Sequence, residues 1–183
     1  VDKVRAQLEE SILQGAPPGS GLASIDMPPA ELEEPVEPKT AFEPYRRFYA
    51  AHQRQMETTL HTLRSQIRSQ LGKGSSAMPQ LAALDAAFEN ILAEREAALL
   101  SKVAKLHEKR FMQAVKAHIK NLSEARSLVA AGDASTERDS VPEQTTAWLW
   151  PLRQAMRSAL LAELDTRLQP TLGLLEALKQ ETP

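Results

Sequence analysis

A regular spacing of apolar side chains begins at Pro44 and predicts one long amphipathic helix over residues 44–71. Its positions recur every three or four residues, which is the period of one face of an α-helix. They are Tyr45, Phe48, Tyr49, His52, Met56, Leu60, Leu63, Ile67 and Leu71. Gly72 and Gly74 follow directly, and glycine is the residue that most readily adopts the left-handed conformation in which helices end. We therefore expect a helix about 42 Å long that stops at Gly72.

A second helical pattern opens at Pro79 and continues to residue 131 without another proline or any glycine. Its stripe consists of Leu81, Leu84, Phe88, Ile91, Leu92, Leu99, Val103 and Leu106, followed by Phe111, Val115, Ile119, Leu122 and Val129. The step from Leu106 to Phe111 turns the stripe by about 140° around the helix axis. Two alternatives explain such a phase change: a continuous helix that changes packing partners, or a helix that breaks near Lys109 and Arg110.

The last helical pattern covers residues 148–178 and contains two prolines. Ser140 and Glu143 ahead of it fit a capping box, in which each side chain satisfies a free backbone N–H at the start of the helix. We expect Pro151 and Pro170 to kink or restart the helix, because a proline ring blocks the hydrogen bond to the carbonyl four residues earlier.

No segment alternates apolar and polar residues in the manner of a β-strand, so we expect an all-α protein. The lengths of the elements favour an elongated antiparallel bundle of three or four long helices, coiled-coil-like in its packing. In that arrangement the 44–71 helix lies along the N-terminal half of the central helix, and the last helix lies along the C-terminal half. A compact bundle with a broken central helix is the competing arrangement.

The N-terminal part of the chain is of a different kind. A short apolar pattern predicts a helix over residues 1–14, and seven of the 12 prolines lie between residues 17 and 44. Each proline fixes φ and removes a hydrogen-bond donor, which disfavours regular structure. We predict a Pro-rich acidic segment over residues 15–43, either a flexible linker or a docking tether, and a helical bundle domain over residues 44–183.

The chain consists of three zones that differ in net charge. Lys and Arg number 22 against 24 Asp and Glu, which gives a formal net charge of -2. Residues 1–44 hold three basic and nine acidic side chains, residues 45–131 hold 14 and seven, and residues 132–183 hold five and eight. The overall balance argues against a dedicated nucleic-acid-binding protein, but it leaves room for one basic face in the middle of the chain.

The chain lacks the residues and spacings of the common catalytic sites. It contains no cysteine, which excludes disulfides, thiolate zinc sites and cysteine nucleophiles. It also contains no nucleophile elbow, no phosphate-binding glycine loop and no H-E-x-x-H motif. We interpret the four histidines as partly buried side chains beside the apolar stripes rather than as metal ligands. We therefore expect no enzymatic activity, no metal site and no cofactor.

Basic residues crowd the second half of the central helix and form the first candidate site. They are Lys102, Lys105, Lys109, Arg110, Lys116, Lys120 and Arg126. Such a cluster can neutralise phosphates, lipid head groups or an acidic protein partner. The alternative is a solvated helix face whose charge is balanced by the acidic ends of the chain. Because no aromatic residues interleave with the cluster, single-stranded nucleic acid has no stacking platform and is the less favoured partner.

Aromatic residues near helix starts form the second candidate site. They are Tyr45, Phe48 and Tyr49 in one group and Trp148 and Trp150 in another. One interpretation is that they seal the ends of the bundle. The other is a contact patch for a partner, since aromatic side chains supply large contact areas at protein interfaces.

Several short runs of the chain carry a family resemblance. They are Phe42-Glu-Pro-Tyr-Arg-Arg-Phe-Tyr49, His52-Gln53, Met56-Glu57, Leu63-Arg64, Leu81-Ala-Ala-Leu-Asp85, Glu94-Arg-Glu-Ala-Ala-Leu-Leu100 and Lys109-Arg-Phe111. Together they resemble an uncharacterised proteobacterial family, domain-of-unknown-function family 3348, over roughly residues 42–111. The N-terminal helix and the Pro-rich segment show a weaker similarity.

The resemblance implies a bacterial cytoplasmic protein without assigned catalytic residues. It also implies gene neighbours that encode a flagellar-stator-like membrane protein and a peptidoglycan-binding partner. On that basis the chain would be a helical accessory of an envelope-spanning, motor-like complex, an inference from association rather than from its own residues.

We predict a non-enzymatic helical scaffold or adaptor that binds protein partners, self-association included, through its long amphipathic helices and its Pro-rich tether. The alternative is a protein that binds nucleic acid or an anionic surface through residues 102–126. No apolar run is long enough to cross a bilayer, so we expect no insertion into a membrane. The cytoplasmic location and an association with a membrane complex are what the family resemblance implies.

Overall fold

The computed structural model describes residues 1–15, 26–32, 36–75, 77–130 and 148–181. Within these ranges the chain forms helix α1 over Asp2–Gln14, helix α2 over Pro38–Leu71, helix α3 over Ala77–Ala130 and helix α4 over Trp150–Glu181. These described ranges contain no β-strand, which confirms the all-α prediction. No helix among them is long and apolar enough to cross a membrane. The predicted capping box at Ser140 and Glu143 and parts of the predicted Pro-rich segment lie outside the described residues.

Helix α2 begins at Pro38, so the predicted start at Pro44 is wrong. Pro38 lies in the first turn, where its missing N–H leaves no hydrogen bond unmade, and Glu37 before it is extended. Pro44 lies inside the helix, where its ring removes one backbone hydrogen bond. Phe42 and Tyr45 on either side are buried, and their packing keeps this turn helical. The predicted division of the chain into a linker and a bundle domain stays a prediction.

The two prolines of the last helix behave differently. Pro151 lies in the first turn of α4, which begins at Trp150, so it interrupts no helical hydrogen bond at this position. Pro170 lies inside α4, and the helix continues through it to Glu181 without the restart that was one of its two expected effects. Leu168 and Leu174 on either side of Pro170 are buried, and their packing holds this part of the helix in place.

Helix α3 runs without a break through the step from Leu106 to Phe111. Of the two explanations for the phase change, the break near Lys109 and Arg110 is therefore wrong. The step marks the place where the apolar side chains pass from an outward face to the core: Leu106 is exposed, whereas Phe111 and Val115 are buried.

Helix α2 lies antiparallel to α3 along most of its own length. Arg64 of α2 contacts Asp85 of α3, and at the other end of α2 the ring of Phe42 packs against Phe111. Because α2 accompanies α3 past residue 109, the predicted exchange of packing partners at that point is wrong.

Helix α4 is antiparallel to α3 and parallel to α2. Arg167 of α4 lies 3.4 Å from Glu96 of α3, and Glu163 accepts a hydrogen bond of 2.9 Å from Gln53 of α2. Helix α1 packs antiparallel on α4, where Arg5 pairs with Asp165 at 2.7 Å. The arrangement agrees with the predicted antiparallel bundle preceded by a short N-terminal helix.

The helices contribute unequally to the main hydrophobic core. Its buried members are Leu8, Ile12, Phe42, Tyr45, Phe48, Tyr49, Met56, Leu60, Phe111, Val115, Leu149, Leu152, Met156, Leu160, Leu164 and Leu168. A second cluster joins Ile67, Leu71 and Leu174. Among the described residues of α3, the longest helix, only Phe111 and Val115 are buried apolar side chains. Much of the apolar surface of α3 is therefore not used to fold the bundle.

An ion-pair network joins α2 to α3 near the turn that connects them. Arg64 donates two hydrogen bonds to Asp85, from Nε at 2.9 Å and from Nη2 at 2.6 Å. Arg68 Nη1 donates to Asp85 at 3.0 Å and to Glu89 at 2.5 Å. Burial would raise the pKa of Asp85, but the hydrogen bonds from the two arginines outweigh it and lower that pKa. Both carboxylates are therefore ionised at neutral pH and fix the register of the two helices.

Candidate interaction surface

The first group of candidate aromatic residues lies inside the bundle. Tyr45, Phe48 and Tyr49 are buried, and the Tyr45 hydroxyl donates a hydrogen bond to the carbonyl of Pro29. Burial raises the pKa of Tyr45 to about 12 and raises the pKa of Tyr49 as well, so both hydroxyls stay protonated. Their burial supports the interpretation that they seal the bundle, and it leaves a partner no access to them.

The second aromatic group lies at the start of α4 and is partly accessible. Trp148 is half-buried, with its ring stacked on His118 at a centroid distance of 4.5 Å. Trp150 is exposed, and the guanidinium of Arg153 lies 5.7 Å from its ring centroid, within the range of a cation–π contact. Trp150 is thus the member of the aromatic set that a partner can reach most readily.

The candidate basic residues all lie in solvent. Lys102, Lys105, Lys109, Arg110, Lys116, Lys120 and Arg126 are exposed. The five lysines fall within a band about 60° wide on one side of α3 at about 100° per residue, and we call this band the lysine face. Lys120 of this face pairs with Glu124 at 3.6 Å, one helical turn away.

The acidic ends of the chain do not neutralise the lysine face where the structure describes them. Glu43 pairs with Arg46 of its own helix, and Asp165 pairs with Arg5. Across residues 1–15, 26–32, 36–75 and 148–181, no carboxylate lies within 4.0 Å of a lysine of this face. Within the part of the chain that the structure describes, the lysine face is therefore an exposed positive surface that the described acidic ends do not cover.

A set of large apolar side chains from the predicted pattern of α3 is exposed in the structure. They are Leu84, Phe88, Ile91, Leu92, Leu99 and Leu106, each between 45% and 71% exposed. At about 100° per residue they fall within a band about 100° wide on α3, and we call this band the apolar stripe. Single exposed apolar residues are ordinary, whereas a contiguous set on one helix is typical of an interaction site.

Sequence reasoning predicted partner binding through the long amphipathic helices, but it did not identify which part of the apolar pattern is exposed. A stripe that the chain covers with its own helices has the same period as a stripe that another molecule covers, so the pattern alone does not separate them. The available signal was the step from Leu106 to Phe111, which divides the stripe into an outward part and a core part.

A cleft lies beside the apolar stripe, where α3 stands away from α2 and α4. Residues 90–99 are exposed on all sides of the helix. The cleft has a volume of about 570 Å³ and is lined by Leu60 of α2, Leu92 and Leu99 of α3, and Pro170 of α4, among others. The apolar stripe and this cleft form one continuous accessible region, because they share Leu92 and Leu99.

Several charged groups in the wall of the cleft pair with one another or with neighbouring residues. Glu89 accepts a hydrogen bond from Arg68, and its Oε1 lies 3.2 Å from Nδ1 of His61. Burial would raise the pKa of Glu89, but the hydrogen bonds from Arg68 and His61 outweigh it and lower that pKa. Glu96 lies 3.4 Å from Arg167. A carboxylate held ionised by arginine is poorly suited to proton transfer at neutral pH.

The histidines are mostly packing residues, as we interpreted them. His52 and His107 are buried, and burial lowers the pKa of His107, so that its ring is neutral at pH 7. His118 is half-buried against Trp148, whereas His61 is exposed. The described part of the chain holds no group of three or more His, Asp or Glu side chains that could bind a metal ion.

A comparison with protein families identifies the family to which this chain belongs. One family model matches residues 1–180. The chain belongs to the DUF3348 family. That family is described as protein of unknown function, and the match extends the resemblance seen over residues 42–111 to almost the whole chain. In this DUF3348 protein the apolar stripe, the cleft and the lysine face all lie within the matched residues. Neither a curated protein nor a solved structure matches the chain.

Proposed function

We propose that this DUF3348 protein is a non-enzymatic helical scaffold or adaptor that binds protein through the apolar stripe of α3. The observation that carries the proposal is the exposure of six large apolar side chains on one side of a helix whose other side packs in the core. Exposed apolar surface is unfavourable in water by roughly 25 cal/mol per Å². Covering the stripe with a protein surface therefore favours association.

The shape of the stripe supports a helical ligand rather than a small molecule. From Leu84 to Leu106 it extends about 33 Å along the helix axis at 1.5 Å per residue. Its apolar side chains follow the spacing of one helix face. An amphipathic helix of a partner can pack its own apolar face along such a surface. The neighbouring cleft adds accessible surface to the apolar stripe, because Leu92 and Leu99 belong to both.

The proposal is tested by two variants that change opposite kinds of surface. Ile91→Glu combined with Leu99→Glu places charge in the apolar stripe. Lys105→Glu combined with Lys109→Glu and Lys116→Glu reverses the lysine face on the same helix. We expect the amount of partner recovered with the first variant in pull-downs from the native host to fall about tenfold or more. The reason is that a charge at the centre of an interface is desolvated without compensation. The second variant should retain the partner.

Circular dichroism controls for folding, since all five substituted side chains are exposed and helicity should not change. Equal partner recovery with wild type and the stripe variant would contradict the proposal. Quantitative mass spectrometry of the recovered proteins provides the readout.

A second candidate function rests on the lysine face, which the structure leaves exposed. Lysines in a narrow band neutralise phosphates of a nucleic acid or an anionic surface. In this case the lysine-face variant loses binding to a polyanion, and wild-type affinity falls steeply between low and moderate salt. The stripe variant should bind the polyanion normally. The expected cytoplasmic location and the link to an envelope complex stay predictions.

A further inference from the structure

Two apolar pairs of the stripe are symmetric about Arg95, namely Leu84 with Leu106 and Ile91 with Leu99. The position symmetric to Phe88 is Lys102 of the lysine face, and the position symmetric to Leu92 is Ala98. Leu84, Phe88 and Ile91 lie 11, seven and four residues before Arg95. Leu106, Lys102 and Leu99 lie 11, seven and four residues after it. A pattern with this symmetry is complementary to itself when one copy of the helix is reversed, which is the requirement for an interface with two-fold symmetry.

We propose that the apolar stripe binds a second copy of this chain, with the two α3 helices packed antiparallel across a two-fold axis at Arg95. This inference deepens the proposed scaffold function and rests on it. In this register Leu84 faces Leu106 of the second copy, and Ile91 faces Leu99 of the second copy. Each of these apolar contacts occurs twice, because the interface is symmetric.

Two cationic side chains that lie among the apolar positions of the stripe, Lys102 of the lysine face and Arg95, fit the same register. Phe88 faces Lys102 of the second copy, whose aliphatic stem covers the ring while the ammonium group makes a cation–π contact. Arg95 lies on the axis, next to Glu94 and Glu96 of the second copy. Glu94 is exposed, and among the described residues no cation lies within 4.0 Å of it, so it can pair with the guanidinium of Arg95 across the axis.

The available area suits a dimer. The six side chains of the stripe from each copy together expose on the order of 1,200 Å², which is the lower end of the range for stable specific interfaces. The two helices would be in contact over about 33 Å.

The rest of the chain offers no comparable cover for the stripe. Residues 131–147 contain one large apolar side chain, Val141, and residues 16–25 contain two, Leu22 and Ile25. Neither segment can match six apolar side chains spread along six turns of helix. A second copy supplies a stripe of equal length and matching spacing.

The first experiment measures the mass of the full chain by sedimentation velocity between about 1 and 100 μM. We expect wild type to be a dimer. Arg95→Leu removes the paired arginines at the axis and completes the stripe, so it should lower the Kd about tenfold or more. Arg95→Glu places six carboxylates around the axis and should raise the Kd about tenfold or more. A wild-type monomer over this range, or a dimer indifferent to both substitutions, overturns the proposal.

The second experiment tests the antiparallel register with cysteines, since the chain contains none of its own. A mixture of the Ile91→Cys and Leu99→Cys chains should form an intermolecular disulfide under mild oxidation, because the two positions face each other. Each chain alone should not, because identical positions are then separated by eight residues, about 12 Å along the axis, and disulfides require Cα atoms within about 7 Å.

Disulfides in either chain alone, at the rate of the mixture, would show a parallel pairing and overturn the proposal. A monomeric wild type whose stripe variant still loses a different host protein would also overturn it. That last outcome leaves the scaffold function intact, so the two proposals fail separately.

Discussion

Replacing Phe111 by alanine is expected to lower the free energy of unfolding by about 3–5 kcal/mol, the usual cost of emptying a buried phenylalanine site. The Phe111 side chain is 0% exposed, and its ring centroid lies 5.2 Å from that of Phe42 and 5.6 Å from that of Tyr45. Alanine would leave a cavity at the contact between α2 and α3, which neighbouring side chains fill only in part. Urea denaturation followed by circular dichroism measures the change, and Tm should fall by roughly 10 °C.

Ile119→Ala is the matched control on the same helix. Ile119 is 49% exposed and lies outside the apolar stripe, so its loss should change stability by less than about 0.5 kcal/mol. If Phe111→Ala and Ile119→Ala unfold at the same urea concentration, the packing of α2 against α3 is not as described. Phe111→Leu should fall between wild type and Phe111→Ala, since it retains part of the buried volume.

Replacing Asp85 by asparagine should cost about 2–3 kcal/mol at pH 7, because it leaves Arg64 and Arg68 partly desolvated with one carboxylate between them. The side chains of Asp85 and of its two arginines are only 11–15% exposed, so solvent cannot replace the lost pairing well. The folded state lowers the pKa of Asp85 below its ordinary value of 3.8. A lowered pKa means that the stabilisation is present above pH 3.8 and is lost as the pH falls through the folded-state pKa.

Urea denaturation of wild type and Asp85→Asn at several pH values measures this effect. The two chains should differ most near neutral pH and converge below the pKa of Asp85, where the carboxyl group is protonated in both folded and unfolded chains. Glu43→Gln is the control, since it removes an exposed ion pair within one helix that contributes little to stability. A difference between wild type and Asp85→Asn that is constant down to pH 2 would rule out an electrostatic origin.

The fold class and the main helices followed from local patterns. The absence of Gly and Pro between Pro79 and Gly132 was enough to predict α3 within two residues of its observed start. The start of α2 was placed at Pro44 rather than Pro38, because the apolar period is clear only from Tyr45 onward. Proline is compatible with a helix start at either position. The packing of Phe42 in the core favours the earlier start of α2, at Pro38.

Contacts between helices were harder to anticipate than the helices themselves. Arg64 and Asp85 are 21 residues apart, and no local period relates them. Their pairing depends on the turn at Gly72, which sets the register of α3 on α2. For the same reason the path of α2 past residue 109 could not be deduced from the phase change alone.

The candidate surfaces show the same limit. Exposure of the lysine face could be predicted, because a band of lysines is rarely buried. Exposure of Phe88 and Ile91 could not, because it depends on how little of α3 the other helices cover. Among the described residues of this helix, the apolar side that includes Phe111 is buried in the core, and the side that includes Phe88 and Ile91 is exposed. The proposed function rests on this exposed apolar side of α3, which remains accessible to another protein.

A photo-reactive residue at position 91, introduced into the chain in its native host, tests the central claim most directly. The claim is that the apolar stripe contacts protein in the cell. We expect irradiation to give a discrete cross-linked protein product from position 91, and no such product from position 119, which is exposed on the same helix outside the stripe. No product at position 91, or the same product with equal yield at position 119, would contradict it.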